Sequence, residues 1–195
     1  MLDAAEPMFA AHGLAGVSMR QIAATAGVDL SLVLYHFDSK VVLYRAVINR
    51  VMHDFNARRI ELLEELRLRN PDPTAVELFD LQITAWFEIR FGPAPHRTSL
   101  IVLRNRVEPD AKGDADWPGD DFTKDFVAAL VRAEAHRDPA YVHWSYHCLI
   151  GSMVYFMNSG ERVERISGAY CDMKSQEAMR SALLNQVSSV FPSGR

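Results

Sequence analysis

Apolar residues recur every three to four positions along nearly the whole chain, which is the spacing of one face of an α-helix. No segment alternates strictly between apolar and polar residues, and no hairpin dipeptide separates two apolar runs. We therefore predict an all-α protein. The predicted helices cover residues 2–12, 18–25, 29–37, 40–68, 74–91, 96–107, 119–136, 139–159 and 172–190, and the segments between them, including 108–118 and 159–171, are predicted breaks.

Glycines and capping residues set the boundaries of the first helices. Gly13 is predicted to end the first helix as a left-handed residue. Ser18 and Gln21 have the spacing of a capping box, in which Ser18 caps the backbone amide of Gln21 and Gln21 reaches back. Gly27 supplies a tight turn after the second helix, and Asp29 is predicted to cap the third.

The second and third helices, joined by a glycine-containing turn, have the arrangement of a helix-turn-helix. One small core can be formed by apolar residues of this segment: Phe9, Ile22, Ala23, Val28, Val33 and Phe37. Asp38 and Ser39 then cap the long fourth helix. A generic helical hairpin is the alternative, because capping boxes and glycine turns are common in helical proteins.

The N-terminal motifs become specific in their combination and order. They are Leu2 to Glu6, Phe9, His12-Gly13, Ser18 to Ala23, Ala26 to Val28, Tyr35 to Phe37 and Ser39-Lys40. This pattern, over about the first 47 residues, resembles the TetR family of transcriptional regulators. The resemblance implies a DNA-binding domain over residues 1–47, joined within the fourth helix to an effector-binding and dimerisation domain over residues 48–195. It also implies a homodimer that places each third helix in the major groove of a double-stranded DNA operator.

Helical geometry selects the side chains that would contact DNA. With Val33 and Phe37 in the core, the step of about 100° per residue turns Ser31, Leu32 and Tyr35 outward, onto the family positions nearest the bases. The resemblance places further positions near bases or phosphates, with a phosphate also favoured at the start of the fourth helix. The candidate DNA-binding residues are Ser18, Met19, Arg20, Ser31, Leu32, Leu34, Tyr35, His36 and Lys40.

The charge of this segment changes the expected mode of binding. The chain has a net charge of -4, and residues 1–50 hold four acids and four bases. Leu30, Leu34 and Asp29 stand where the family often has other polar residues, and the basic N-terminal arm of many relatives is expected to be absent or trimmed. Apolar side chains can contact thymine methyl groups. We therefore predict selectivity from few polar contacts and modest affinity for DNA in general.

Residues 48–195 contain no P-loop, nucleophile elbow or metalloprotease motif. We therefore expect neither an enzyme nor a cofactor. Aromatic residues at helical spacing are mostly core, although such residues with a few polar groups also line ligand pockets. The candidate ligand-binding residues are Phe79, Trp86, Arg90, Arg104, Phe126, His143, Trp144 and His147. For each of them, packing in the core is the alternative.

His143 and His147 lie one helical turn apart, a spacing that can bind a metal ion. The neighbouring Cys148 points to a different side of the helix from His143, and no other third ligand is evident. We therefore predict no metal site and interpret the two histidines as packing or pocket lining. The alternative function is a helical protein or enzyme that binds a small molecule or haem through this pair.

The last two predicted helices carry small and apolar residues that suit a dimer interface. They are Ala178, Met179, Ala182, Leu183, Gln186, Val187 and Val190, with Ser145, Gly151 and Ser152 on the preceding helix. Two such helices from each subunit would form a four-helix bundle. The alternative is that both stripes close the core of one chain, and the family resemblance favours the dimer.

Together these features predict a ligand-responsive repressor. A small apolar or amphipathic effector would bind residues 48–195 and release the protein from a palindromic operator. An activator of the same fold is an open alternative. The N-terminus lacks a secretory signal, and the most apolar run, residues 149–157, is too short to span a bilayer. We therefore expect a cytoplasmic protein with no membrane partner.

Overall fold

The computed structural model describes residues 1–103, 120–168 and 170–192, and this part of the chain consists of helices and connecting turns without a β-strand. The all-α prediction is confirmed. The helices are α1 (Leu2–His12), α2 (Met19–Ala26), α3 (Leu30–His36), α4 (Lys40–Arg69), α5 (Ala75–Arg90), α6 (Arg97–Leu103), α7 (Asp120–Ala133), α8 (Pro139–Asn158), α9 (Gly160–Ser167) and α10 (Gln176–Val190). Within these residues no helix combines the length and the apolar character needed to cross a membrane.

The described residues form two compact units. The first contains residues 1–55 and 89–103, which include α1 to α3, the first half of α4, and α6. The second contains residues 56–88 and the described residues from 120 onward, which include most of α5 and all of α7 to α10. Each unit combines distant segments of the chain. The limits of 1–47 and 48–195 were drawn from sequence motifs and not from contacts within the structure. They stay a prediction of where the DNA-binding and effector-binding domains meet.

The predicted capping residues hold the ends of α2 and the start of α4. The Ser18 Oγ accepts the backbone N–H of Gln21 at 3.2 Å, and the Ser18 N–H donates to Gln21 Oε1 at 2.9 Å, so the capping box is present. At the start of α4, Ser39 Oγ accepts the N–H of Val42 at 3.2 Å. Gly27 ends α2 with φ 65° and ψ 32°, a left-handed conformation that its missing Cβ permits. The N–H of Gly27 donates to the carbonyls of Ala23 and Ala24, so this glycine forms the turn between α2 and α3.

Two predicted boundaries differ in detail. Gly13 has φ 65° but ψ −178°, which is outside the left-handed helical region and in a conformation nearly restricted to glycine. Its N–H still donates to the carbonyl of Phe9 at 2.9 Å. Asp29 occupies the N-cap position of α3, but its side chain makes no capping hydrogen bond. The start of α3 is therefore fixed by the turn at Gly27 more than by its cap.

The predicted break over residues 159–171 was wrong, because this segment contains the helix α9. Most of the residues from 161 to 166 are good helix formers. Gly168, with φ 60° and ψ 37°, ends the helix in the left-handed conformation. The next helix begins at Gln176, capped by Ser175, instead of at residue 172. The end of the predicted helix 96–107 and the predicted break over residues 108–118 lie outside the described residues.

A small apolar core holds α1, α2 and α3 together. Its buried members are Phe9, Ile22, Ala23 and Val33. The ring of Phe9 meets the ring of Tyr44 edge-on, with their centroids 4.9 Å apart, so α4 also contributes to this core. Val28 and Phe37, which the sequence also assigned to the core, are half-buried. The helix-turn-helix therefore rests on α1 and the start of α4.

Four aromatic rings form the centre of the second unit. Phe79, Phe126, Tyr146 and Phe191 are all at most 4% exposed. The centroid of Phe79 lies 6.0 Å from that of Phe126, 6.3 Å from that of Tyr146 and 6.1 Å from that of Phe191. The rings come from α5, α7, α8 and the residue after α10, so this cluster ties four helices together.

The stripe that the sequence assigned to a dimer interface divides into two sides of α10. Met179, Leu183 and Val187 are buried within the second unit and close its core. The exposed members are Ala178, Ala182 and Gln186, and Val190 is half-buried. The two sets are offset by one residue, which turns them about 100° apart on the helix. On α8, Ser145 is buried, Gly151 is exposed and Ser152 is half-buried.

Glu6 is an acid on the buried side of α1 and is only 4% exposed. Its Oε1 lies 2.9 Å from His96 Nε2 and accepts Arg97 Nε at 2.6 Å. Its Oε2 accepts Arg97 Nη2 at 3.1 Å and also Nη2 of Arg50. Arg50 and Arg97 each bind a second carboxylate as well, that of Asp3 and that of Asp54. The Glu6 cluster is the set Asp3, Glu6, Arg50, Asp54, His96 and Arg97, all within the first unit.

The Glu6 cluster predicts a loss of stability in acid. Burial alone would raise the pKa of Glu6, but hydrogen bonds from Arg97, Arg50 and His96 lower it from 4.5 to about 2. The folded protein therefore binds this proton less tightly than the unfolded chain. The resulting stabilisation is complete above pH 4.5 and is lost as the pH falls toward 2. We expect Glu6 to account for a decrease of about 3 kcal/mol in the free energy of unfolding across this interval.

Urea denaturation at a series of pH values measures this decrease. The Glu6→Gln variant has no carboxylate at this position and should lack this part of the pH dependence. The same pH dependence in the variant and the wild type would contradict the assignment to Glu6.

Candidate DNA-binding site

The outer side of α3 presents a continuous set of exposed side chains. Val33 is fully buried and holds this helix on the core of the first unit. The exposed residues are Ser31, Leu32 (42%), Leu34 (46%), Tyr35 (81%) and His36. The rings of Tyr35 and His36 meet edge-on with centroids 5.3 Å apart. The helix therefore offers aliphatic, aromatic and hydrogen-bonding groups to a partner at the same time.

The remaining DNA candidates lie at the starts of α2 and α4. Arg20 is exposed in the first turn of α2, while Met19 is half-buried. The hydroxyl of Ser18 is exposed but accepts the capping bond of α2. Lys40 is the first residue of α4 and is half-buried. A cation at a helix N-terminus, beside free backbone amides, is suited to an anionic group such as a phosphate.

The Glu6 cluster takes up part of the charge of residues 1–50. Two of the four acids in this segment, Asp3 and Glu6, bind Arg50. The net charge of zero for residues 1–50 therefore does not describe the surface around α2 and α3. The exposed acids there are Asp29 and Asp38.

Comparisons with known proteins agree with this arrangement of helices. Residues 1–47 match the family model of bacterial regulatory proteins of the tetR family, and residues 119–188 match that of the tetracyclin repressor-like C-terminal domain. The chain belongs to the TetR family. The resemblance seen in the N-terminal motifs is confirmed, and the chain is a member of a family of transcriptional regulators with a helix-turn-helix.

One relative of this TetR-family chain matches part of its sequence, and two solved structures match nearly the whole of its fold. It is 40% identical to the HTH-type transcriptional regulatory protein RaaS of Mycobacterium tuberculosis over 72 residues, which are 37% of this chain and 31% of RaaS. The structure of the transcriptional regulator SCO4942 from Streptomyces coelicolor matches with a TM-score of 0.68 at 23% identity, covering 99% of this chain and 97% of that one. SmeT, the repressor of the Stenotrophomonas maltophilia multidrug efflux pump SmeDEF, matches with a TM-score of 0.63 at 19% identity, covering 100% and 92%. At these identities the two structures show the shared fold.

The candidate ligand-binding residues do not converge on one place. Phe79 and Phe126 belong to the aromatic cluster of the second unit, and Trp86 is also buried in that unit. Trp144 is 74% exposed on α8. Arg90 is half-buried at the end of α5, with its guanidinium carbon 5.7 Å from the centroid of the Phe91 ring. Arg104 lies outside the described residues.

His143 and His147 line a groove of about 600 Å³ between α7 and α8. The other lining residues are apolar (Val127, Ala128, Val131 and Pro139) or polar (Asp120, Thr123 and Lys124). Lys124 was not among the residues predicted from the sequence, although its spacing from residues 120, 128 and 131 places it on the same side of α7. In the described part of the chain, no group of three or more His, Cys, Asp and Glu residues could hold a metal ion. The apolar wall of the groove, with Lys124, His143 and His147 beside it, suits an organic ligand.

The second unit also contains a buried polar pair, Arg59 and Gln82, that was not predicted from the sequence. Arg59 is 5% exposed, with its guanidinium carbon 4.0 Å from the centroid of the Phe122 ring. Its Nη1 lies 3.5 Å from Oε1 of Gln82, which is fully buried. Among the described residues, Nε2 of Gln82 has no hydrogen-bond partner.

Proposed function

We propose that this chain is a homodimeric, DNA-binding transcriptional repressor that reads its operator with α3. The observation that carries the proposal is that α3 is anchored to the core by the buried Val33 and exposes its opposite side. A helix held in this way, after a glycine turn, is the element that helix-turn-helix proteins place in the major groove. Leu32 and Leu34 would contact thymine methyl groups, and Ser31 and Tyr35 would supply hydrogen bonds.

The proposed response to a small molecule rests on features of the second unit. The groove between α7 and α8 combines an apolar wall with Lys124, His143 and His147, which suits an amphipathic effector. The fold shared with SmeT, which is a repressor, supports repression as the sign of regulation. An effector that lowers the affinity for DNA must itself bind less tightly to the DNA-bound protein, because the coupling is reciprocal.

The proposed dimer uses the exposed sides of α8 and α10. Ala178, Ala182 and Gln186 on α10 are small or polar and exposed. On α8, Trp144 and Tyr155 are exposed large aromatic residues, at 74% and 45%. An exposed apolar surface of this kind on a helical protein is typical of an interface. Two helices from each subunit would form a four-helix bundle about a two-fold axis, which matches the symmetry of a palindromic operator.

Lys40→Ala is expected to weaken binding to every DNA sequence. The lysine would bind a phosphate at the start of α4, so its loss removes one phosphate contact per subunit. We expect the slope of log affinity against log salt to decrease by about two for the dimer. Fluorescence anisotropy with a labelled duplex from upstream of the gene, and with a scrambled duplex, measures both quantities. Absence of any salt-sensitive, sequence-selective binding by the wild type would refute the proposed function.

Lys174→Ala is the matched control, because Lys174 is an exposed lysine in the second unit. It should leave the salt slope unchanged. If Lys40→Ala altered sequence preference and kept the wild-type salt slope, the phosphate assignment would be wrong.

A further inference from the structure

Glu6 sits where three parts of the first unit meet. It lies on α1 among the buried residues Ala5 and Phe9. Its partners are Arg50 from α4, Arg97 at the start of α6 and His96 just before that helix. A buried carboxylate is costly unless it is paired and hydrogen-bonded, and here both oxygens are used. Its presence beside the apolar core of the first unit therefore calls for an explanation other than apolar packing.

The hydrogen bonds of the Glu6 cluster depend on direction, whereas apolar packing does not. The Arg97 guanidinium donates to both oxygens of Glu6, at 2.6 Å and 3.1 Å, and its third nitrogen donates to Asp54 in α4 at 3.1 Å. Such two-point contacts between a guanidinium and a carboxylate fix orientation as well as distance. Apolar contacts between α1 and α6 would by themselves tolerate sliding, since burial has no preferred direction. The cluster therefore sets one relative position of α1, α4 and α6.

We propose that Glu6 is a positioning residue for DNA recognition. By binding Arg50, His96 and Arg97 it holds α1, and with it the helix-turn-helix, at one position on α4 and α6. The dimer then accepts only a narrow range of half-site spacings. This inference rests on the proposed function, because it concerns how a dimer reads two half-sites. Two recognition helices match a palindrome only at the separation that their attachment allows, so a looser attachment broadens the range of operators.

Glu6→Gln tests this role, because it keeps the size of the side chain and removes its charge. The operator is first obtained by selection with the wild type. Affinities are then measured for duplexes whose half-sites are separated by one base pair more or fewer than in the selected site. For the wild type we expect the altered spacing to cost at least about tenfold in affinity, comparable to a mismatched base pair. For Glu6→Gln we expect the cost of the altered spacing to shrink to about threefold or less, with weaker binding to the original site.

Glu88→Gln is the matched control. Glu88 binds Arg58 through two bonds, at 2.8 Å and 2.9 Å, and joins α4 to α5 within the second unit. Its loss removes a carboxylate–guanidinium pair that is more exposed than the Glu6 pairs and lies away from α1, so the spacing preference should stay that of the wild type. An equal change in Glu88→Gln and Glu6→Gln would overturn the proposal, because the effect would then be a general consequence of losing an ion pair.

Arg97→Lys covers the case in which Glu6→Gln does not fold. Lysine keeps the charge but cannot bind Glu6 and Asp54 with a planar fork, so the tolerance for altered spacing should again increase. A folded Arg97→Lys or Glu6→Gln protein with the wild-type spacing preference overturns the inference and leaves the proposed function intact. Failure of the wild type to select any DNA sequence overturns both.

Discussion

Phe79→Ala is expected to reduce the free energy of unfolding by about 3–5 kcal/mol, the range for deleting a large buried aromatic side chain. Phe79 is fully buried, and its ring lies 6.0 to 6.3 Å from the rings of Phe126, Tyr146 and Phe191. Its removal leaves a cavity at the point where four helices meet, and the geometry prevents those helices from closing it fully. Urea denaturation followed by circular dichroism measures the change.

Tyr170→Ala is the control for Phe79→Ala. Tyr170 is an aromatic residue of the same unit but is 96% exposed, so its removal should change stability by less than about 0.5 kcal/mol. The pair also separates two roles of Phe79. A ring that lined an open effector pocket could be truncated at little cost, so an unchanged stability of Phe79→Ala would contradict the assignment of this residue to the core.

Arg20→Ala is expected to lower the affinity for the operator by at least about tenfold and to leave the protein folded. Arg20 is exposed in the first turn of α2, so its truncation removes no core contact. A good contact to a base edge contributes about 1–3 kcal/mol of discrimination, and a dimer makes the contact twice. Anisotropy titrations of the operator and of a scrambled duplex, at one salt concentration, measure the affinity and the selectivity together.

Arg132→Ala provides the comparison, because Arg132 is an exposed arginine on α7 in the second unit. It should bind both duplexes as the wild type does. If Arg20→Ala weakened both duplexes by the same factor, Arg20 would be a phosphate contact only. Unchanged binding to both would remove it from the interface.

The helix-turn-helix was predictable because its signals are local. Ser18 and Gln21 are three residues apart, and the bonds between them form as the spacing predicts. Gly27 takes the left-handed conformation that a tight turn needs. The apolar positions that flank this turn then determine which side of α3 is buried. For a motif of this kind, the sequence contains most of the information that the fold uses.

The Glu6 cluster was not predictable because its partners are distant in the chain. Arg50 lies 44 residues from Glu6, and Arg97 lies 91 residues from it. The only local signal was an acid on the side of α1 that also carries Ala5 and Phe9. A charge in that position indicates a buried partner, but periodicity cannot say which cation supplies it.

The division of α10 into a buried and an exposed side was not predictable for a related reason. Residues 178 and 179 begin two stripes with the same spacing of four residues, and both consist of small or apolar residues for much of their length. Burial of Met179, Leu183 and Val187 depends on what α10 packs against, and the pattern along one helix does not contain that information.

Selection of bound sequences from a random pool of double-stranded DNA, using the wild-type protein, tests the central claim most directly. If the exposed side of α3 reads DNA in a homodimer, the pool should converge on a palindrome. Its half-sites should lie about one helical turn, or a whole number of turns, apart. The enriched sites should contain thymines whose methyl groups meet Leu32 and Leu34. A pool that shows no enrichment after repeated rounds, with equal and salt-sensitive binding to all sequences, would contradict the claim.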